Sequence, residues 1–364
     1  MRDTDTVARL GGDEFVVLLA EAGSREQIQR TVDQIVQRVT APVAINDQEI
    51  LVTPSIGGCL FPDDGQDAGT LLKNADTAMY FAKSAGRSNS QWFTQAMHQQ
   101  AEEKLALAGN MRKALDTGQF FIEFQPEVCL KTGKVMAVEA LVRWRHPKRG
   151  VVPPAEFIAL AEETGLIIPL GEWVLRTACR EVVNLQKACG APLALAVNVS
   201  PRQLQQKDWS ETVRSALLDS GMNPRHLELE ITEGMLMQNP DESAELLDAL
   251  RQQGVGVVID DFGTGYSSLA YLTRFPIDKI KIDRSFVRDL TFDVTDAAVI
   301  DAIIAMSHSL KIRVIAEGVE TPEQLHYLRE RGCDEAQGYH FSKAVTADQI
   351  PALMQTLTAR LSAG

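Results

Sequence analysis

The sequence predicts an α/β protein, a (β/α)8 barrel of the TIM type preceded by a smaller, partial α/β unit. Three observations carry this expectation. The chain has 364 residues, enough for two domains at roughly 100 to 200 residues each. Beyond residue 100, eight strand-like runs alternate with helical stretches over about 250 residues, the usual span of such a barrel. Seven of the eight runs end on a carboxylate, an amide or an ammonium group, where this fold builds its chemistry.

The elements follow in chain order. Residues 14 to 19 (EFVVLL) read as a buried strand, and residues 25 to 39 place Ile28, Val32, Ile35 and Val39 at helical spacing. A second strand is expected near 50 to 60. Asp67 to Ala85 predicts an amphipathic helix that carries Leu71, Leu72, Ala75, Met79, Tyr80 and Ala82 and stops at Gly86. Between Ser88 and Gly118 the chain is polar, helical and poor in Pro and Gly, so a connecting helix is expected, with the domain boundary near residue 100. The barrel strands are then FFIEFQ, KVMAVEALVRW, LALAVNVS, HLELEIT, GVVIDD, IDKIKID, RVIAEGV and a short segment near EAQGYHF.

Composition removes several function classes. With 45% apolar and 23% charged residues the chain is ordinary globular material rather than a disordered one. Its net charge of −13, spread over both parts, repels nucleic-acid polymers. The cysteines (Cys59, Cys129, Cys179, Cys189, Cys333) form no C-x-x-C pair and are odd in number, which fits reduced thiols in the cytoplasm. No apolar run approaches the roughly 18 to 20 residues needed to span a bilayer, and the first residues are polar, unlike a signal peptide. The six histidines are scattered without an H-E-x-x-H pattern, and Trp144, Trp173 and Trp209 are expected to pack.

The strand ends carry Glu139, Asn198, Glu230, Asp260 with Asp261, Lys281, Glu317 and Gln337. Any one of these has an ordinary explanation as a helix cap. Converging at one end of a closed barrel, the carboxylates would repel one another strongly unless cations neutralised them. Five carboxylates and one amide, with no histidine, suit Mg²⁺ or Mn²⁺ better than zinc. The adjacent pair Asp260 and Asp261 can serve two ions, as in phosphate-ester hydrolases, or can cap a helix. The segment Asp261 to Ser268, rich in glycine and hydroxyls, is expected to form a loop that approaches phosphates or moves as a lid. Lys281 alternates with apolar neighbours and shares a face with Asp283.

These residues resemble the EAL family of cyclic di-GMP phosphodiesterases over roughly residues 105 to 355. The motifs are Glu139-Ala140-Leu141-Val142-Arg143-Trp144, Asn198-Val199-Ser200, Glu230-Ile231-Thr232-Glu233, Asp260-Asp261-Phe262-Gly263-Thr264-Gly265, Lys281-Ile282-Asp283, Ala316-Glu317-Gly318-Val319-Glu320 and Gln337-Gly338-Tyr339. The resemblance implies two metal ions, Mg²⁺ or Mn²⁺, held by Glu139, Asn198, Glu230, Asp260 and Asp261, with Ca²⁺ inhibitory. It implies that Glu317 and Lys281 organise the attacking water and that Glu233 steadies the loop after Asp261. Leu141, Arg143, Gln337 and Asp283 would face cyclic di-GMP, Arg143 through a phosphate. The implied activity is hydrolysis of cyclic di-GMP to linear pGpG, by a homodimer formed through this domain. The alternatives are a catalytically silent cyclic di-GMP receptor and a Mg²⁺-dependent barrel lyase of the enolase type.

Upstream, Arg9-Leu10-Gly11-Gly12-Asp13-Glu14-Phe15 resembles the GGDEF family of diguanylate cyclases, and Ala75 to Tyr80 through Gly86-Arg87 is similar to that domain's end. The motif normally lies mid-domain, yet here it starts at residue 11. The expected organisation is therefore the C-terminal part of a truncated GGDEF domain over 1–92, a connecting helix over 93–104 and an EAL domain over 105–357, in a piece of a longer sensor whose full-length parent could be membrane-tethered. Asp13 and Glu14 supply only one strand's share of a cyclase site, so no cyclic di-GMP synthesis is expected. Arg2 and Asp5 keep the R-x-x-D spacing of that family's inhibitory product site, here vestigial.

Overall fold

The computed structural model describes residues 4–20, 23–45, 48–86, 88–264, 272–290 and 292–362. Arg2, Arg87 and the segment from Gly265 to Ser268 lie outside them. The chain divides into two units, Met1–Leu107 and Ala108–Gly364, and the helix Gln95–Asp116 runs across the division.

In the first unit, β1 (Thr6–Gly11) and β2 (Glu14–Leu18) form an antiparallel hairpin. Its turn is held by Arg9, whose guanidinium donates twice to the carbonyl of Gly12. The strand expected to be buried is present but open, with Phe15 and Leu18 both more than 60% exposed. The physical reason is that, among the described residues, β2 pairs with β1 alone in a two-stranded sheet. A helix over Arg25–Val39 follows, started by a reciprocal Ser24–Gln27 capping box and burying Ile28 and Val32. The strand expected near 50 to 60 is two short pieces, β4 (Gln48–Ile50), paired with β3 (Val43–Ile45), and β5 (Ile56–Gly58), paired with β6 (Ser90–Trp92). The helix Ala68–Ser84 is capped by Asp67 and buries Asn74, Ala78 and Ala82.

The second unit is a closed barrel of eight strands. These are β7 (Phe120–Cys129), β8 (Val135–His146), β10 (Ala194–Asn198), β11 (Leu227–Thr232), β12 (Gly256–Phe262), β13 (Lys279–Ile282), β14 (Arg313–Ala316) and β15 (Glu335–Ala336). Pairing of β8 with β10 closes the ring, and β9 (Gly150–Val152) extends β8 outside it. The expected barrel is present with one difference. β7 runs antiparallel to both β8 and β15, whereas the remaining neighbours within the ring are parallel.

Chain length forces that reversal. Only residues 130–134 separate β7 from β8, and a parallel connection needs a dozen or more residues. The link is instead a tight turn in which Gly133, at φ +66°, donates to the carbonyl of Cys129. The C-terminal end of β7 thus lies at the opposite end of the barrel from the other strand ends. This explains why β7 alone carries no candidate site residue there.

Long apolar helices wrap the ring, chief among them Ile167–Cys189, which buries nine residues including Leu170, Val174, Leu175 and Val182. The five cysteines are free, and burial pushes the thiols of Cys179 and Cys333 up to about 12, where they are inert. No helix among the described residues is long and apolar enough to cross a membrane.

Candidate active site

Parallel register brings the strand ends to one mouth. Asn198 stands beside Glu230, Thr232 beside Asp260, and Ile282 beside Ala316, the residue before Glu317. Glu139 does not end β8, which continues to His146 as an arm paired with β7 and β9. It does lie where the pairing of β8 with β10 finishes, since that ladder runs only to Ala140.

At the centre is Lys281, 1% exposed. Its Nζ lies 2.6 Å from Glu317 Oε1, 2.7 Å from Glu230 Oε1, 3.5 Å from Glu139 Oε2 and 3.9 Å from Asp260 Oδ1. Burial opposes its charge, but Glu139, Glu230, Glu317 and Asp260 outweigh burial and hold the ammonium protonated well beyond the usual lysine range. Glu139 accepts from Asn198 Nδ2 at 2.7 Å and from Gln337 Nε2 at 2.6 Å. Burial would raise its carboxyl, yet Lys281 and those two amides more than offset it and keep Glu139 below the usual carboxylate range.

Two neighbours go the other way. Burial drives Glu230 well above its ordinary value, with Glu139 and Asp260 adding to the rise and Lys281 only partly opposing it. Burial also raises Glu317, to about 7, helped by Asp260 and Glu139 against Lys281. Four carboxylates around one ammonium carry more negative charge than it can neutralise. The cluster must therefore hold protons or take up cations.

Of the neighbours Asp260 and Asp261, the first is half-buried and the second exposed. Asp261 adopts a left-handed backbone (φ +53°), its N–H donates to Asp260 Oδ1 at 2.9 Å, and its carbonyl accepts from Thr264 Oγ1. A non-glycine residue in this region is uncommon, though Asp tolerates it best, and such conformations gather at functional sites. Burial, then Asp260 and Asp283, raise the Asp261 carboxyl.

The remaining expected residues fall around this cluster. Leu141 and Arg143 follow Glu139 at alternate positions of β8 and are half-buried. Gln337 is buried, and its neighbour Gly338 must be glycine, because a Cβ there would meet the backbone of Val319 at 2.2 Å. Asp283 lies just past β13, accepts from Ser285 N at 2.9 Å and caps the helix Arg284–Arg288. Glu233 is buried at the start of the helix Glu233–Leu236, and its Oε2 has no hydrogen-bond partner among the described residues. The loop that Glu233 is expected to steady runs outside the described residues after Thr264. Asp5 precedes β1, and its expected companion Arg2 is outside the described residues.

Among the described residues, no three acidic, His or Cys side chains stand as a preformed cation cage. The carboxylates turn toward Lys281 instead. Their chemistry nonetheless fits hard divalent cations, because both oxygens of Glu230 are buried with no hydrogen-bond partner among the described residues. Lys281 lies close to one of them in distance but outside hydrogen-bond alignment.

Sequence reasoning missed two groups of residues. Gln125 stands opposite Glu139, accepts from Gln337 Nε2 at 3.1 Å and donates to the carbonyl of Ser342. One layer below, Lys279 is enclosed by Glu127 at 3.0 Å and by Glu228 and Glu335 at 2.7 Å each, while Arg313 bonds Glu228 and Glu335 from outside. The signal was available. Both Lys279-Ile280-Lys281 and Glu228-Leu229-Glu230 repeat a charge at the two-residue period of one strand face.

Comparison with known proteins agrees with this architecture. The family model described as EAL domain matches residues 108–344, and the one described as diguanylate cyclase, GGDEF domain, matches residues 1–89. The chain is 42% identical over 350 residues to the bifunctional diguanylate cyclase/cyclic di-GMP phosphodiesterase MucR of Pseudomonas aeruginosa, covering 96% of this chain and 51% of that protein. It is 43% identical over 343 residues to the cyclic di-GMP phosphodiesterase NbdA of the same organism, covering 94% and 44%. The chain thus spans about half the length of the curated relatives it matches. Among solved structures, the PaMucR phosphodiesterase in its c-di-GMP complex is similar at 42% identity and a TM-score of 0.66, covering 67% of this chain and 99% of that one. The EAL enzyme Bd1971, bound to cAMP and cyclic di-GMP, is similar at 30% identity and a TM-score of 0.68, covering 80% and 76%. A domain match over most of the barrel, together with a solved relative covered almost end to end, means that this chain belongs to the EAL-domain family.

Proposed function

We propose that the barrel hydrolyses cyclic di-GMP to linear pGpG, with the activity residing in residues 105–357 and the GGDEF unit over 1–92 joined through 93–104. The observation that carries this reading is the cluster of Glu139, Glu230, Asp260 and Glu317 around Lys281 at the mouth of an EAL-type barrel. Glu139, Asn198, Glu230, Asp260 and Asp261 would hold two divalent cations, Mg²⁺ or Mn²⁺. When bound, such ions supply an activated water and neutralise charge on the phosphoryl oxygens and the leaving 3′ oxygen.

The chain's own groups do the rest. Arg143 binds a substrate phosphate, and Leu141, Gln337 and Asp283 line the substrate. Lys281 orients Glu317, whose carboxyl, raised to about 7, can hold or release a proton near neutral pH. Glu233 steadies the loop after Asp261. Pure protein incubated with cyclic di-GMP and Mg²⁺ or Mn²⁺ should yield pGpG on chromatography, and Ca²⁺ should suppress it, because Ca²⁺ prefers longer bonds and higher coordination. Intact dinucleotide with demonstrated binding would instead make the chain a receptor, and no binding at all would reopen the lyase alternative.

The negative excess also gives a test without substrate. A carboxyl raised on folding from 4.5 to about 7 contributes stability below its unfolded value and loses that contribution as pH rises through the folded one. The metal-free protein should therefore lose part of its melting temperature between pH 4.5 and 7 through Glu317, and Mg²⁺ should restore it at pH 7. Glu317→Gln should flatten this slope. Equal slopes in the two proteins would remove Glu317 from the charge excess.

A further inference from the structure

One partner of Arg143 at the mouth, Glu123, has no part in that reading. Arg143 donates its Nε–H to Glu123 Oε2 at 2.8 Å and an Nη1 hydrogen to the carbonyl of Val142 at 3.1 Å. Antiparallel register sets Glu123 opposite Leu141 and Gln125 opposite Glu139. Residues two apart on a strand share a face, so Glu123 stands on the face that carries Glu139, Leu141 and Arg143. Among the described residues nothing accepts from Nη2 of Arg143.

We propose that Glu123 is a positioning residue for substrate binding, which pins the Arg143 guanidinium through Nε and leaves its Nη2 edge for a phosphate of the cyclic dinucleotide. The proposal rests on the reading of Arg143 as a phosphate ligand. A guanidinium is a planar fork with five donors and can serve two anions on different edges at once. Arginine also has many rotamers, and holding it in one before the ligand arrives removes an ordering cost from binding. The pair retains 27% side-chain exposure at Glu123 and 19% at Arg143. An ion pair this open contributes little to folding, so Glu123 variants should remain folded.

The test is calorimetric titration of cyclic di-GMP in Ca²⁺, where turnover should be suppressed, alongside steady-state kinetics in Mg²⁺. Glu123→Ala should raise both Kd and KM by roughly 5- to 10-fold with kcat within about twofold of wild type. Glu123→Gln, whose amide oxygen still accepts from Nε, should recover most of the affinity. In an Arg143→Ala background, Glu123→Ala should have no further effect. Unchanged affinity in Glu123→Ala, an equal penalty in the Arg143→Ala background, or tighter binding in both Glu123 variants would overturn the proposal, the last by making Glu123 a competitor of the phosphate. A wild-type protein that binds without turnover would sink the hydrolase reading alone, since the binding cycle still reports on Glu123. A wild-type protein that does not bind would overturn both.

Discussion

Glu139→Ala or Asp260→Ala should lower turnover of cyclic di-GMP in Mg²⁺ by about three orders of magnitude. Glu139 is the most connected carboxylate of the mouth, tied to Asn198, Gln337 and Lys281 and kept ionised by them. Its removal takes away a hard ligand and also frees the two amides that it orients. Asp260 is the member of the acidic pair that reaches toward Lys281 and accepts the backbone N–H of Asp261. Arg143→Ala should act differently, raising KM with a smaller change in kcat. The check is the rate of pGpG formation, with near-ultraviolet circular dichroism to confirm that each variant is folded. A Glu139→Ala protein that keeps most of its activity would mean that the metal assignment is wrong.

Lys279→Met should destabilise the barrel by about 3–5 kcal/mol and lower its melting temperature by roughly 10 °C. The ammonium neutralises Glu127, Glu228 and Glu335 inside the ring, all of them buried. Burial first, then the repulsion of Glu228 and Glu335, already raises Glu127 despite the attraction of Lys279. Taking the ammonium away leaves three buried carboxylates with Arg313, at the edge, to compensate two of them and the more distant Lys281 to attract Glu127. Adding Glu127→Gln to Lys279→Met should recover part of the loss, because it removes the carboxylate that Arg313 does not reach. Thermal melting of the three proteins decides the matter, and an unchanged melting temperature in Lys279→Met would show that the network contributes nothing to stability.

Much of the barrel was legible because its strands are short apolar runs that end on polar groups. The rule that an α/β barrel works at its strand ends was enough to single out Glu139, Asn198, Glu230, Asp260, Lys281, Glu317 and Gln337, and the structure brings them to one mouth. The reversal of β7 was also readable, from the five residues between its end and the start of β8, but periodicity says nothing about direction. The openness of β2 was not legible in its own residues. EFVVLL has the composition of a buried strand, and its pairing with β1 alone among the described residues leaves Phe15 and Leu18 in solvent.

By itself the sequence determined the strand order, the chemistry available at each strand end and the family to which the chain belongs, since these depend on residue type and spacing along one dimension. The tertiary structure alone decided which charge meets which. Lys281 meets Glu139 across the ring and Glu317 from the end of the adjacent strand, Lys279 gathers Glu127 from a strand 152 residues away, and Glu123 reaches Arg143 from the reversed strand. Electrostatic energy depends on distance through space and on burial, and a closed barrel sets both by its register and not by separation along the chain.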